Sequence, residues 1–266
     1  MTVVSVQSLD DPRLEPYRNL KATNDTRWQR QLIAEGDKLV RRLLESDLTV
    51  ESLLVAESHR RRFENAAAER GTNVFVVPDE WIERIVGFNF HRGVLACARR
   101  KSAVGLQAFC SAASQDAWRL VACPDVQDPE NLGSILRLAS AFGVGAVVLG
   151  RGCCNPFSRR VLRVSMGAAF RVPIVESADL AAELVEAQAK FQLELWAAVT
   201  DRDADPFDRP ARPRRLALLL GSEGHGLSCE WIDLCDRRVT IPMRAGVDSL
   251  NVSVAAGILL HHLTTR

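Results

Sequence analysis

The sequence predicts an α/β protein whose larger, C-terminal part is a doubly wound, mostly parallel sheet. From Trp118 onward, short apolar runs typical of strands alternate with amphipathic stretches typical of helices. That alternation indicates a sheet of about five or six strands with helices packed against it. A shorter alternation of the same kind runs from Ser5 to about Lys101, so a smaller α/β domain is expected before it.

Composition indicates an ordinary globular protein. The chain has 266 residues, of which 47% are hydrophobic and 25% charged, and its formal net charge is +1. No apolar run approaches the roughly 18 residues of a membrane-spanning helix, and the N-terminus lacks the pattern of a signal peptide. We therefore expect a cytoplasmic protein that does not associate with a membrane.

The seven cysteines are predicted to be free thiols. Their number is odd, none is in Cys-x-x-Cys spacing, and Cys97 and Cys123 fall in predicted strands. Buried thiols in a reducing compartment explain this pattern better than a metal or redox site does. No metal is therefore expected.

The N-terminal domain is assigned to residues 1–101 and is predicted to contain a mostly parallel sheet. Its elements are predicted as strand 31–34, helix 36–45, strand 53–56, helix 60–70, strand 74–77, a helix N-capped by Asp79, and strand 93–98. Residues 102–117 are small, polar and weakly patterned. They are interpreted as a linker or a loosely attached helix, and the domain boundary is placed there.

The C-terminal domain is assigned to residues 118–266. Its predicted strands are 119–123, 146–149, 171–175, 193–199, 215–220 and one that ends near 241. Its predicted helices are 131–142, 157–166, 178–189, 230–234 and a final helix at the C-terminus. Strand 215–220 is so apolar that burial on both faces is expected, and residues 201–214 are predicted to form a proline-rich loop.

The first of three chemically suggestive stretches follows strand 119–123 and opens a helix, which is where α/β sheets bind ligands. Either Asp128 or Asn131 can cap this helix. Arg137 lies among apolar residues, so its guanidinium group needs an anionic or polar partner. That partner could be a carboxylate of the protein, in a structural salt bridge, or a bound phosphate group.

The second stretch is a glycine-rich loop after the buried strand 215–220. Gly221, Gly224 and Gly226 expose backbone amides that can bind a polar ligand. The loop is not a Walker loop, because no Lys-Ser/Thr pair follows it. Glu223 could cap, orient the loop or hold a cation, and His225 is most simply an exposed loop residue.

The third stretch, 241–260, changes from a strand end to a helix. Capping of that helix would explain Ser249 but not the additional polar residues Asn251 and Ser253. In a doubly wound sheet the loops that leave neighbouring strands at one edge converge. All three stretches are therefore expected to share one crevice.

The three stretches contain Asn-x-Gly-x-x-x-Arg at 131–137, Gly-Ser-Glu-Gly-x-Gly at 221–226, and Ile-Pro-Met…Ser-Leu-Asn-Val-Ser-Val-Ala at 241–255. In this order they resemble the motifs of the SpoU/TrmH family of RNA 2′-O-ribose methyltransferases, within the SPOUT superfamily. The segments that begin at Asn155 and Ser165 are similar as well. Two departures are Ser222, where Asn is frequent, and Asp248, where Glu is common.

The resemblance covers 118–266 closely and extends more loosely to residues 1–101. It implies a C-terminal trefoil knot, a homodimer and S-adenosyl-L-methionine as cofactor. Carried over by motif, the cofactor contacts would be Gly221, Ile241 and Leu250. The catalytic site would contain Arg137, Asn131, Glu223, Ser249 and Asn251.

RNA is the implied partner. The additional N-terminal domain is similar to the substrate-binding domain of many family members, for example at Ala34-Glu-Gly-Asp-Lys38, and it favours rRNA over tRNA by analogy. The cations expected to contact RNA are Lys21, Arg27, Lys38, Arg60 and Arg61, and Trp28 could stack on a base. A solvated basic surface is the alternative interpretation of these residues.

The motif-one arginine of the family is often described as the base that takes the hydroxyl proton. A guanidinium group does not readily lose its proton, so we instead expect Arg137 to grip the adjacent phosphate and stabilise oxyanion charge. A Rossmann oxidoreductase is disfavoured, because Gly150-Arg-Gly152-Cys-Cys-Asn155 lacks the third glycine of the dinucleotide motif. A catalytically inactive RNA-binding protein remains an alternative, although it would not need the four motif residues Asn131, Arg137, Glu223 and Asn251.

Overall fold

The computed structural model describes residues 2–20, 30–101, 104–113, 117–201, 203–208, 211–244 and 246–264. The chain divides into two compact units. The first unit consists of Met1–Ser102 together with Phe157–Arg171, and the second of Ala103–Pro156 together with Val172–Arg266. Phe157–Arg171 thus groups with the N-terminal unit, although it lies within the predicted C-terminal domain. Ion pairs to the buried Glu35 explain this: Arg163 Nη1 lies 2.9 Å and Arg159 Nη1 3.6 Å from its carboxylate oxygens.

The first unit contains a mixed five-stranded sheet. Its strands are β1 (Val3–Ser5), β2 (Gln31–Glu35), β3 (Thr49–Ala56), β4 (Asn73–Val77) and β5 (Val94–Arg99), in the order β1-β4-β3-β5-β2. The prediction of a mostly parallel sheet is wrong here, because β5 runs antiparallel to both β2 and β3. A strand that is apolar on both faces has the same sequence pattern in either direction, so periodicity does not reveal its orientation.

The helices within the described residues match most of the predicted ones. They are α1 (Asp37–Leu44), α2 (Glu64–Glu69), α3 (Asp79–Val86), α4 (Leu106–Ala112), α5 (Pro129–Ala141), α6 (Arg159–Val164), α7 (Leu180–Phe191), α8 (Cys229–Asp233) and α9 (Val252–Thr264). Short 3-10 helices cover Pro12–Tyr17, Glu57–Arg62 and Ala168–Phe170. The predicted helix 60–70 is thus divided between a 3-10 turn and α2. Over the described ranges, no helix is long and apolar enough to cross a membrane.

The second unit is built on a seven-stranded sheet. Its strands are β6 (Trp118–Cys123), β7 (Ala146–Leu149), β8 (Ile174–Glu176), β9 (Glu194–Val199), β10 (Asp205–Pro206), β11 (Arg215–Leu219) and β12 (Arg237–Thr240). Every pairing is parallel, in the order β10-β12-β9-β11-β6-β7-β8, which confirms the predicted doubly wound parallel sheet. The sheet has one strand more than the six predicted. The additional strand is β10, a two-residue edge strand within the predicted proline-rich loop.

Of the two interpretations of residues 102–117, a linker or a loosely attached helix, the structure shows a helix. On α4, Leu106 and Cys110 are one turn apart and both are buried in the core of the second unit. The side-chain amide of Gln107 donates to the carbonyl oxygen of Glu183 at 2.9 Å, which ties α4 to α7. Two apolar positions in a small, polar segment are therefore enough to anchor a short helix.

The parallel sheet brings the three motifs to one edge. The first motif follows β6, the glycine loop follows β11, and the third motif follows β12, while β9 lies between β11 and β12. Helix α9 then packs on α5 closely enough that a Cβ atom on Gly257 would lie 3.4 Å from Leu138. This arrangement bears out the expected convergence of the three stretches. The trefoil knot implied by the resemblance stays a prediction.

The cysteine thiols should differ sharply in reactivity. All seven are free; Cys229 is exposed, whereas burial raises the pKa of Cys97 and of Cys235 to about 12. Because the thiolate is the reactive form, we expect a disulfide reagent at pH 8 to modify about one thiol rapidly in the folded protein. Cys229→Ser should abolish that rapid phase. Several rapidly reacting thiols in folded protein would contradict the expectation.

Candidate active site

The start of α5 leaves Asn131 free for a long-range contact. Asp128 is the N-cap residue, and its carboxylate accepts a hydrogen bond from the backbone N–H of Glu130 at 2.8 Å. Asn131 therefore lies inside the first helical turn, where it is only 6% exposed. Of the two predicted cap candidates Asp128 caps the helix, and the amide of Asn131 is available to other elements.

Asn131 joins the three motifs in one chain of hydrogen bonds. Its Nδ2 donates to Oε1 of Glu223 at 2.8 Å, and its Oδ1 accepts from Nδ2 of Asn251 at 2.9 Å. These residues are 92 and 120 positions away from Asn131 in sequence. The fold thus brings together three of the five predicted catalytic residues.

Backbone groups at the start of α9 set the direction of this chain. Oδ1 of Asn251 accepts from the backbone N–H of Ser253 at 2.9 Å and from that of Val254 at 3.3 Å. Because backbone N–H groups can only donate, the amide NH₂ of Asn251 must face Asn131. The carbonyl of Asn131 then accepts it, and the NH₂ of Asn131 faces Glu223.

Asn251, rather than Ser249, caps α9, so the alternative in which Ser249 is explained by capping is not what the structure shows. The Ser253 hydroxyl also donates to Oδ1 of Asn251, at 2.7 Å. The sequence signal for this contact is a serine two residues after an asparagine at the start of a helix. Ser249 itself is exposed.

The glycine loop that holds Glu223 is closed by its own backbone. Ser222 and Gly226 exchange two N–H···O=C bonds, each 3.0 Å long. A Cβ atom on Gly221 would lie 2.1 Å from the carbonyl carbon of Gly226 and 2.3 Å from the amide nitrogen of Leu227. Only glycine fits at 221 while the loop remains closed.

Replacing Gly221 by alanine should therefore open this loop. We expect Gly221→Ala to weaken cofactor binding by about tenfold or more and to destabilise the protein by about 1–3 kcal/mol, because backbone must move to relieve the overlap. The matched control is Gly224→Ala in the same loop, where a Cβ atom would meet nothing within 4 Å. Calorimetric titration and urea unfolding of both variants measure the two effects. Equal behaviour of the variants would contradict the expectation.

A cavity of about 390 Å³ adjoins the hydrogen-bonded chain. It lies at the carboxyl ends of β9, β11 and β12, and its volume falls within the range of small-molecule sites. Its lining includes all three predicted cofactor contacts, Gly221, Ile241 and Leu250. It also includes the predicted catalytic residues Glu223, Ser249 and Asn251.

Arg137 lies apart from this cavity. Its side chain is exposed on α5, and six residues correspond to about 240° of helix rotation from Asn131. The structure therefore does not bring Arg137 together with the other predicted catalytic residues of its own chain. Among the described residues Arg137 has no ion pair, so its charge is available to an external anion.

The thiols near the first motif are unsuited to nucleophilic chemistry. Sγ of Cys153 donates to the carbonyl of Cys123 at 3.0 Å and accepts from the backbone N–H of Val126 at 3.3 Å. Burial raises the pKa of Cys153 to about 11 and that of Cys154 to about 12. These groups stay protonated at neutral pH, and they shape the loop before α5 instead. In the described part of the chain, no group of three or more His, Cys, Asp or Glu side chains could hold a metal ion.

The predicted RNA-contacting residues have different surroundings. Lys21 and Arg27, together with Trp28, lie outside the described residues. The guanidinium of Arg60 is paired with Glu64, at 2.6 Å, and with Glu57, at 3.7 Å, so its charge is largely matched. Lys38 and Arg61 are exposed.

Comparison with known proteins agrees with the site. Residues 119–261 match the model of the SpoU rRNA methylase family, and residues 33–103 match a model described as RNA 2′-O ribose methyltransferase substrate binding. An uncharacterized tRNA/rRNA methyltransferase of Mycobacterium tuberculosis is 36% identical over 99% of this chain and 92% of its own length. The 23S rRNA (guanosine-2′-O-)-methyltransferase RlmB of Bordetella pertussis is 32% identical over 87% of this chain and 95% of its own.

A solved structure is similar over nearly the whole chain. It is an AdoMet-bound rRNA methyltransferase from Sinorhizobium meliloti, with a TM-score of 0.83, 25% identity, and coverage of 98% of this chain and 97% of that one. The family model alone covers more than half of the present sequence. The three motifs, the parallel sheet and these matches agree, and the protein therefore belongs to the SpoU rRNA methylase family of RNA methyltransferases.

Proposed function

We propose that the protein transfers a methyl group from S-adenosyl-L-methionine to a ribose 2′-hydroxyl of ribosomal RNA. The observation that carries this proposal is the hydrogen-bonded chain Glu223–Asn131–Asn251 beside the cavity. The RlmB relative of Bordetella pertussis and the RlmP relative of Bacillus subtilis are both named as 23S rRNA guanosine 2′-O-methyltransferases, which supports rRNA over tRNA.

The cavity fits a nucleoside-like cofactor. Its walls combine apolar side chains, among them Leu220, Val239 and Leu259, with backbone of the glycine loop and of the segment after β12. Apolar walls suit a flat base, and backbone polar groups can fix its edge. When bound there, S-adenosyl-L-methionine would supply an electrophilic methyl group on a positively charged sulfur.

The polar residues beside the cavity suit a hydroxyl acceptor. Glu223 and Asn251 line the cavity, and Asn131 holds both in place, so a ribose entering here meets carboxylate and amide groups. A pair of reactants held in fixed alignment gains a large part of its rate from positioning alone. Because Arg137 lies apart from the cavity of its own chain, we assign Arg137 of a second copy of the chain to the phosphate next to the acceptor ribose. There it stabilises oxyanion charge, and the proton leaves to phosphate or water.

The proposal is tested with an rRNA fragment whose target nucleotide carries a 2′-deoxyribose. Ribose mapping of RNA from a deletion strain identifies that nucleotide, and a parallel assay with tRNA tests the alternative substrate. Transfer should vanish on the deoxy fragment while RNA binding largely persists. Continued methylation of that fragment would overturn the 2′-hydroxyl assignment, and binding of intact rRNA without any methylation would identify an inactive RNA-binding protein.

The homodimer implied by the family resemblance is part of this proposal. Helix α9 buries Leu259 and Leu260, whereas Val254 and Ile258, one turn apart, are 51% and 37% exposed. Exposed apolar side chains on a helix face next to α5 suit a second copy of the chain. Ile258→Glu should therefore give a monomer in light scattering, whereas Val185→Glu, at an exposed apolar position on α7, should not change the mass. A monomeric parent protein would refute the dimer.

A further inference from the structure

The first unit contains a second cavity, of about 450 Å³, whose lining is unusually basic. Five parts of the unit contribute to it: the end of β2 with Gly36, α1, the 3-10 helix Glu57–Arg62, the residue before Gly93, and α6 with Met166 beyond it. We call it the cationic cavity. Its basic lining residues are Lys38, Arg42, His59, Arg62, Arg92 and Arg163.

Several of these basic residues have no carboxylate partner among the described residues. The two carboxylates of the lining are already engaged, since Glu35 pairs with Arg163 at 2.9 Å and Asp37 pairs with Arg41 at 2.8 Å. Among the residues that the structure describes, Lys38, Arg62 and Arg92 form no ion pair. A concave surface lined by unmatched charges of one sign concentrates ions of the opposite sign.

Two glycines allow the basic side chains to lie against the backbone. At Gly36, which has a φ of +90°, a Cβ atom would lie 3.0 Å from Cδ of Arg92. At Gly93, with a φ of +66°, a Cβ atom would lie 2.3 Å from Nδ1 of His59. The space that a side chain would fill at these two positions is taken by the side chains of Arg92 and His59, which both line the cavity.

Buried Glu35 fixes one wall of the cavity. Its side chain is 2% exposed, and it holds both Arg163 and Arg159 of α6 against β2. Arg42 of α1 also donates to the backbone carbonyl of Met166, just after α6. The basic groups therefore belong to a framework that is held together within the first unit.

We propose that the cationic cavity binds phosphodiester groups of the RNA substrate. The inference rests on the proposed function for the choice of RNA, and the match of residues 33–103 to a substrate-binding model favours RNA over an acidic peptide. It assigns phosphate binding to Lys38, Arg42, Arg62 and Arg92, whereas Arg60 and Arg61 of the same basic run do not line the cavity.

The test compares two double charge reversals with the same change in net charge. Arg62→Glu/Arg92→Glu alters the cationic cavity, and the control Arg30→Glu/Arg84→Glu alters exposed positions of the same unit outside it. Fluorescence anisotropy with an rRNA fragment at several salt concentrations measures affinity and its salt dependence. All four positions are exposed, so both variants should fold, which thermal unfolding verifies.

The cavity variant should bind the rRNA fragment about 30-fold more weakly than the parent protein, with a salt slope smaller by about one for each lost phosphate contact. The control should stay within about threefold. At saturating RNA, methyl transfer by the cavity variant should match that of the parent, because the site in the second unit is untouched.

Equal weakening by both variants would overturn the proposal, since that result means a diffuse basic surface. Unchanged RNA affinity in the cavity variant would overturn it too. In that case a calorimetric titration with pyrophosphate identifies a small-anion site if the parent protein binds pyrophosphate and the cavity variant does not. If the parent binds rRNA but methylates none, the proposed function fails, while a selective loss of affinity in the cavity variant still supports the RNA-binding cavity.

Discussion

Replacing Arg137 by alanine is expected to lower turnover by about 100-fold or more while leaving cofactor affinity nearly unchanged. Arg137 is exposed on α5 and does not line the cofactor cavity, so its loss should disturb neither the fold nor that cavity. Its charge is available to an external phosphate. Because the guanidinium group stabilises charge that develops only in the transition state, its loss should lower the rate of methyl transfer and not the affinity for the cofactor. Single-turnover methyl transfer and calorimetric titration with the cofactor separate the two quantities.

Two further variants sharpen this prediction. Arg137→Lys retains the charge but loses the forked geometry that binds a phosphate through two parallel hydrogen bonds, so it should recover only part of the rate. Lys190→Ala removes an exposed cation of α7 and should leave turnover unchanged. Near-normal turnover in Arg137→Ala would refute the assignment, and so would a large loss of cofactor affinity in a protein that still folds.

The sequence was sufficient to predict those parts of the site that depend on the order and direction of the strands. Parallel strands end at one edge, so motifs after β6, β11 and β12 had to converge, and the contacts of Asn131 with Glu223 and Asn251 follow from that convergence. The capping of α9 by Asn251 was missed because several polar residues at a helix start can serve as the cap. Only hydrogen-bond geometry distinguishes them.

The placement of Arg137 shows a second limit. Shared membership in a motif suggested that it would join Asn131, yet a spacing of six residues does not put two side chains on one face of a helix. The helical period of 3.6 residues was enough to predict that Arg137 and Asn131 point in different directions. The sequence does not identify the external group that Arg137 contacts. The grouping of α6 with the first unit was likewise not predictable, because it depends on ion pairs to Glu35 about 125 residues away.

Replacing Asn131 by aspartate is expected to reduce turnover by about 100-fold or more and to destabilise the protein by about 2 kcal/mol at pH 8. The change removes the amide hydrogens that bond Glu223 at 2.8 Å and Asp128 at 3.4 Å, and it brings the new carboxylate and that of Glu223 about 2.8 Å apart. Two carboxylates this close repel each other when both are ionised, so the folded variant retains one proton that the pair shares. The unfolded aspartate ionises near pH 4, so the stability of the variant relative to the parent should fall as pH rises from about 4 to 8. Urea unfolding at pH 5 and 8 measures this difference.

The double variant Asn131→Asp/Glu223→Gln tests whether the hydrogen bond itself is responsible. It restores one donor and one acceptor with their roles exchanged, because the amide of the new glutamine can donate to the carboxylate at 131. Asn251 can still donate to that carboxylate, so stability at pH 8 should recover most of the loss. The remainder is the repulsion from the Asp128 carboxylate, whose oxygen lies 3.4 Å from the side-chain nitrogen of Asn131 in the parent. Turnover should remain low, since the carboxylate is then held within α5 and no longer lines the cavity. Full recovery of turnover would show that Glu223 serves only to hold Asn131. If stability does not recover, the hydrogen bond between positions 131 and 223 is not what stabilises the contact between the motifs.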